Sequence, residues 1–186
     1  RIGSVDSISP EAPVPVLLEN DYRCNVGGAG NLAVNLASIN GPVDLYGPLG
    51  KDKQGNKFLE LLLVTNVCSC LTSCLEATTS KVRIVSTQGQ QICRFDTDSI
   101  CECDDAEKEF LNAVQQNDTV VISDYNKGAV RKDTVSKLLE NEYQTALYAI
   151  SGKAHWESYK KGKKYCPTDF IEYKAADEKS SGQGII

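Results

Sequence analysis

The stretch VGGAGNLAVN (26–35) sets three glycines in front of an apolar run with helical spacing. Glycine loses more backbone freedom on folding than any other residue and weakens a helix that contains it. Three of them at a helix start imply a need for bare backbone. Either the helix packs tightly against a neighbouring strand, or a ligand touches the backbone there. The spacing Gly28-x-Gly30-x-x-Ala33 fits a dinucleotide fingerprint, but that motif needs a buried strand immediately before it. LLENDYRCN (17–25) is too polar to be one. The remaining ligand reading is a loop that admits a polyhydroxyl molecule, with the N–H groups of a helix start aimed at it. Asn31 supports this, because an amide offers both a donor and an acceptor to adjacent sugar hydroxyls.

The rest of the chain alternates between two hydrophobic periods. ISPEAPVPVLL (8–18) carries three prolines, which cannot donate to a ladder, and is expected as an edge strand or projecting flap. Residues 29–39 read as a helix with Leu32, Val34, Leu36, Ala37 and Ile39 on a broad apolar face. A strand at 42–50 and a helix at 53–63 follow. KVRIVS (81–86) and QICRFD (91–96) read as a hairpin. Next come an acidic-start helix at 104–116, a buried strand at 118–125, a helix at 132–142 and a buried strand at 145–151. A short helix near 154–160, a strand at 163–167 and a helix start at Asp169 complete the pattern. Residues 1–176 are thus expected as one domain and 177–186 as a disordered tail. This order implies an α/β fold, with a mostly parallel sheet flanked by helices. Ligands of such sheets sit beyond the carboxyl ends of the strands, where Asp124 and Ser151 should lie.

Composition narrows the function classes. The net charge of −5 and the scattered basic residues leave no nucleic-acid footprint, and the lysines at 160, 161, 163 and 164 read as a solvated turn. No apolar run is long enough to span a bilayer and no signal peptide is visible. A cytoplasmic or organelle-matrix setting is expected, and secretion is not. Methionine is absent even at position 1, which suggests a chain that begins inside a longer product or was trimmed. Eight cysteines are present. Cys68, Cys70 and Cys74 with Cys101 and Cys103 offer thiolates, but not at two-residue knuckle spacings. Disulfides are a further alternative. Free thiols are the expectation, with no metal site.

These residues carry a resemblance. VGGAGNLAVNLASINGPVDLYGPLGKDKQG, with a Gly-x-x-Gly-x-Asp turn at Gly47, Gly50 and Asp52, resembles the first signature of the ribokinase-like sugar kinases, the phosphofructokinase B family. ISPEAPVPV, KVRIVS…QQICRFD and SDYNKGAV are similar to segments of bacterial heptose-7-phosphate kinases. The resemblance runs over roughly residues 1–172. It implies a ribokinase-like fold with a projecting β flap (8–18 and 81–96), incomplete at both ends. It also implies a sugar site lined by Gly27, Gly28 and Asn31, with Gln90 and Arg94 near the sugar phosphate. Asp124 and Lys127 would contact sugar hydroxyls and phosphate. Two alternatives stay open: Arg94 and Asp96 form a structural ion pair, and SDYNKG is a capped turn.

The family transfers the ATP γ-phosphoryl group with magnesium, using a Gly-Ala-Gly-Asp helix start downstream of the matched region. This chain shows Ser151-Gly152-Lys153 where the family has Asp-Pro-Lys, and Thr168 and Ile171 within its Pro-Asn-x-x-Glu motif. No catalytic residue and no cofactor of its own are therefore expected. The leading expectation is a sugar kinase-like protein that has lost phosphoryl transfer and serves as a structural subunit. The alternatives are a fragment of an active ATP-dependent heptose-7-phosphate-like kinase and a sugar-phosphate binding module. Expected partners are other protein chains, through a flap-mediated homodimer or a larger assembly. A sugar phosphate is a possible ligand; nucleic acid and membrane are not expected partners.

Overall fold

A computed structural model describes residues 1–100, 103–115, 119–125, 127–131, 133, 134, 137 and 138, and the backbone of 144–149. The expected elements between 154 and 169, the tail, and the positions of Ser151, Thr168 and Ile171 lie outside the described residues. The chain divides into two units, Arg1–Ile100 and Cys101–Ile186.

The first unit opens with β1 (Ile2–Ile8) and β2 (Pro15–Asp21), which pair antiparallel. The expected single strand over 8–18 is therefore a hairpin tip. Pro10 and Pro13 fall in the turn and Pro15 begins β2, because three residues without N–H donors cannot sustain a ladder. The turn closes on the Ser9 N–H, which donates to the Val14 carbonyl at 2.9 Å. β5 (Ser80–Ser86) and β6 (Gln91–Thr97) form the expected second hairpin. The four strands make a mixed sheet in the order β2-β1-β5-β6. Only Ile2 and Gly3 of β1 pair with β5, so most of the β1–β2 hairpin extends past that pairing as a flap. β2 is an edge strand, as the prolines predict.

Between the hairpins lie α1 (Gly28–Asn40), β3 (Val43–Gly50), α2 (Lys53–Leu62) and β4 (Val67–Leu75). β3 and β4 pair in parallel, with α2 in the connection between them. β4 has no counterpart among the expected strands. In its VCSCLTSCL sequence Ser69 and Ser73 share the parity of Val67 and Leu71, so the period-2 alternation of a half-buried strand is broken. The core forms where α1 meets the strand pair: Ala33 and Ala37, one turn apart, lie with Leu45, Leu62 and Val67. Alanine there lets the helix approach closely. The apolar face is accordingly narrower than expected, and Ile39 is 78% exposed.

The other face of the strand pair carries a polar group. Asp44 stands opposite Cys68 and Tyr46 opposite Cys70. A hydrogen bond with Cys70, then partial burial, then the nearby Asp44 push the Tyr46 phenol up to about 12. Cys24, Cys68, Cys70 and Cys93 are free thiols, whereas Cys74 and Cys103 are disulfide-bonded. Among the described cysteines, the expectation of free thiols thus holds for the first four and not for Cys74 and Cys103.

In the second unit α3 (Asp104–Ala113) begins with Asp104, Asp105 and Glu107, which complement the helix macrodipole. β7 (Thr119–Asp124) and β8 (Gln144–Ala149) pair in parallel. Of the helix expected at 132–142, the described residues Asp133, Thr134, Lys137 and Leu138 are helical. Val120, Ile122 and Leu138 form the core, with Phe110, Leu111, Val114 and Val130 packed on it. The largely buried Glu107 carboxylate ties the unit together. It accepts from Arg131, from Thr134 Oγ1 at 2.7 Å and from Lys137 Nζ at 3.4 Å. Glu107→Ala should lower stability by about 1–3 kcal/mol, since Arg131 keeps Asp104 as a partner but Thr134 loses its acceptor. A thermal melt beside wild type measures this; a midpoint within 1 °C would refute it, against the roughly 4–8 °C expected per kcal/mol for a unit of this size.

Candidate functional site

Each glycine of the opening stretch meets a different demand. Gly27 is the N-cap of α1 in extended backbone (φ −118°, ψ 175°), and a Cβ there would meet nothing within 4 Å. Gly28 takes φ 51°, the left-handed region, which costs an L-residue roughly 1–2 kcal/mol. At Gly30 a Cβ would lie 2.6 Å from the Phe58 ring of α2 and 3.3 Å from Val26 Cβ. Tight packing thus explains Gly30, against a helix and not a strand. Open space is what Gly27 faces.

The Gly30 N–H bonds back to the Gly27 carbonyl at 3.0 Å and the Asn31 N–H at 3.4 Å. The N–H groups of Gly28 and Ala29 have no intrahelical acceptor, as at any helix start. No side chain caps this end and no acidic residue occupies its first turn. The helix itself thus places no acidic side chain at the positive end of its dipole. Beside it is an open concavity of about 560 Å³ lined by Cys24, Asn25, Val26, Gly27, Gly28, Asn31, Val34, Leu61 and Thr65. Backbone donors and the Asn31 and Asn25 amides can address a polar ligand there, whereas the Thr65 hydroxyl already donates to the Leu62 carbonyl at 2.7 Å; Val26, Val34 and Leu61 are apolar lining. Asn25, Leu61 and Thr65 are absent from the residues singled out by sequence. Leu61 near the end of α2 and Thr65 in the turn after it are about 30 positions away, and only tertiary packing brings them in.

The other predicted residues lie elsewhere. Gln90 and Arg94 belong to the β5–β6 hairpin and do not line this concavity. The Gln90 carbonyl accepts from the Ser86 N–H at 2.8 Å, closing a turn in which Gly89 takes φ 87°. Arg94 is bound through Nε and Nη2, each at 2.9 Å, to Asp96, which Lys81 Nζ also contacts at 2.9 Å. The Lys81 hydrogen bond, opposed by slight burial and aided by Arg94, holds the Asp96 carboxyl below the usual carboxylate range. The ion pair left open by the sequence is formed. Asp124 and Lys127 are in the second unit. Asp124 is the last residue of β7, at 2% exposure, and Lys127 lies in the bend that follows, where Gly128 takes φ 86°. Next to Asp124, the buried Ser123 Oγ has no hydrogen-bond partner.

Gly47 and Gly50, expected in a turn, are strand residues of β3, and Asp52 just beyond them is an architectural residue. It caps α2 through Gly55 N–H at 2.8 Å, and accepts from Thr78 Oγ1 at 2.6 Å and Thr78 N–H at 3.0 Å. Burial alone would raise its pKa; the Thr78 and Gly55 hydrogen bonds outweigh that and hold it below the usual value.

Comparison with known proteins bears on the family and the fold. The family described as pfkB family carbohydrate kinase matches residues 1–145. A bifunctional protein HldE of Methylococcus capsulatus is 40% identical over 132 residues, covering 69% of this chain and 28% of the relative. A bifunctional protein HldE of Helicobacter pylori strain P12 is 40% identical over 160 residues, covering 82% of this chain and 32% of the relative. The chain thus spans about a third or less of the curated relatives it matches. Among solved structures, phosphofructokinase-2 of Escherichia coli in complex with fructose-6-phosphate superimposes with a TM-score of 0.53 at 19% identity, over 80% of this chain and 50% of that one. A carbohydrate kinase of Agrobacterium tumefaciens gives 0.53 at 18% identity, over 81% and 50%. At these identities the structures speak to fold alone, and the fold is the ribokinase-like α/β architecture.

Proposed function

The chain belongs to the pfkB family of carbohydrate kinases, and from that premise we propose that its first unit carries a carbohydrate site, for a sugar phosphate, at the start of α1. The observation that carries this reading is the coincidence of three features. Gly27 faces open space, Gly28 sits in the left-handed region, and Asn31 lines the same concavity beside an uncapped helix start. Hydroxyls would take the amide and backbone donors, and an anionic group would be favoured by the helix dipole. The resemblance to heptose-7-phosphate kinases makes a seven-carbon sugar phosphate the first candidate. The flap supports a second element of this reading, a homodimer through β1–β2. Ile8, Val14 and Leu18 on the flap are exposed and apolar, and β2 is an edge.

The ATP and magnesium of the family supply the phosphoryl group and neutralise its charge. The described residues form no Gly-Ala-Gly-Asp helix start, so no transfer step is assigned to them. A non-catalytic role is the second reading, favoured by Ser151-Gly152-Lys153 and Ile171 in place of the family's carboxylates. ATP-dependent phosphorylation of a sugar phosphate by the purified chain would eliminate it.

Calorimetry of the full chain with an aldoheptose 7-phosphate, and with fructose 6-phosphate for comparison, tests the site. Heat of binding is expected at millimolar ligand, and Asn31→Ala should weaken it about tenfold, the worth of one or two hydrogen bonds. Absence of heat from wild type, or an unchanged isotherm for Asn31→Ala, would refute the proposal. Arg94→Ala separates the two roles of Arg94. Its exposed ion pair contributes at most about 1 kcal/mol to stability, so a loss of affinity without a loss of melting temperature would assign it to the ligand.

A further inference from the structure

The polar face of the β3–β4 pair presents a cluster of metal-ligating side chains. Parallel pairing puts Asp44 opposite Cys68 and Tyr46 opposite Cys70. Side chains two apart on a strand share a face, so all four lie together, opposite the face that packs on α1. A carboxylate oxygen of Asp44 and the Sγ atoms of Cys68 and Cys70 lie within 4.8 Å of one another. Asp44 and Cys68 are exposed, and both thiols are free.

We propose that Asp44, Cys68 and Cys70 form a site for a thiophilic divalent cation, zinc first, that clips β3 to β4. Zinc binds thiolate sulfur at about 2.3 Å and carboxylate oxygen at about 2.0–2.2 Å, so a tetrahedron needs ligand atoms about 3.5–3.8 Å apart. In the proposed site, side-chain rotation would bring the three atoms from within 4.8 Å to that spacing. Two soft sulfurs favour zinc, cadmium or cobalt over magnesium or calcium, which prefer oxygen. Three protein ligands leave the fourth position to water. Each thiol gives up its proton as its Sγ bonds the metal, and two protons pass to solvent. Tyr46, hydrogen-bonded to Cys70, is the outer partner that steadies this sulfur. The ligands come from two strands joined through a helix, so metal binding would stabilise the fold by mass action.

The test uses the full chain, without reductant so that existing disulfides stay closed, and Co²⁺ as an optical probe. One equivalent should produce a thiolate-to-cobalt charge-transfer band with the visible bands of four-coordinate cobalt, and Zn²⁺ should displace both. Cys68→Ser/Cys70→Ser should abolish the charge-transfer band, and Cys24→Ser/Cys93→Ser should leave it unchanged. Tyr46→Phe should weaken affinity about tenfold, as loss of an outer-shell partner does. A wild-type chain that shows no charge-transfer band at saturating Co²⁺ overturns the proposal whatever the variants do. So does a band that survives in the Cys68→Ser/Cys70→Ser chain.

Discussion

Asp52→Ala is expected to melt the first unit about 10 °C or more below wild type. The figure is built from parts. Loss of an N-cap side chain costs about 0.5–2 kcal/mol. Thr78 then holds a hydroxyl and an N–H whose acceptor is gone, and a buried unsatisfied group costs about 1–3 kcal/mol. With partial access of water to Thr78, a total of about 2–4 kcal/mol is reasonable, and each kcal/mol moves the midpoint about 4–8 °C in a unit of this size. The surroundings leave little room for repair. A Cβ on Gly50 would lie 2.4 Å from Thr78 N, and one on Gly55 would lie 2.2 Å from the Gly50 carbonyl oxygen. Hydrogen exchange over residues 53–62 would localise the loss to α2. A variant that melts within 2 °C of wild type would show that the latch contributes nothing. The same carboxylate predicts an acid response. Its folded pKa is depressed, so its contribution is complete above the unfolded value of about 3.9 and is lost as pH falls through the folded value. Asp52→Asn should remove that part of the acid sensitivity and leave the remainder.

How much of this was legible in the sequence depends on how local each feature is. The start of α1 was readable because glycine spacing and apolar periodicity both act within one turn. The turn read over Gly47, Gly50 and Asp52 is in fact the end of β3, which runs through Gly50, followed by a bend at Lys51 and Asp52, and Thr78, the partner that explains Asp52, lies 26 residues further on. β4 has no clear sequence signal because Ser69 and Ser73 interrupt the apolar parity set by Val67 and Leu71. The prolines at 10, 13 and 15 correctly excluded a central strand, yet only pairing shows that they mark a hairpin tip. The neighbours of Asn31 on α2 and the juxtaposition of Asp44 with Cys68 depend on packing and register, which no single stretch encodes. Arg94 shows the reverse limit. Its ion pair with Asp96, two residues away, was one of two open readings, and its relation to any ligand is not decided by that pairing.

Gly27→Ala and Gly30→Ala should fail in opposite ways, although the two residues are only three apart. The Gly30 methyl would enter the Phe58 ring at 2.6–2.7 Å in a packed core, and overpacking of that kind costs about 1–3 kcal/mol. Phe58→Leu in the same chain should recover part of it, a coupling expected only of residues in contact. The Gly27 methyl meets no atom within 4 Å and needs no unusual φ. Its cost is confined to the modest preference of an N-cap for glycine over alanine, within about 1 kcal/mol. That methyl, however, projects from a residue lining the concavity that Asn31 shares. Sugar-phosphate affinity should therefore fall at least about tenfold in Gly27→Ala while the melting temperature stays within a few degrees, tenfold corresponding to 1.4 kcal/mol. Melting curves and isotherms of the two chains decide the matter together. Equal thermal losses would mean that Gly27 is packed and the cradle is closed. Unchanged affinity in Gly27→Ala, beside measurable binding by wild type, would move the carbohydrate away from this helix start.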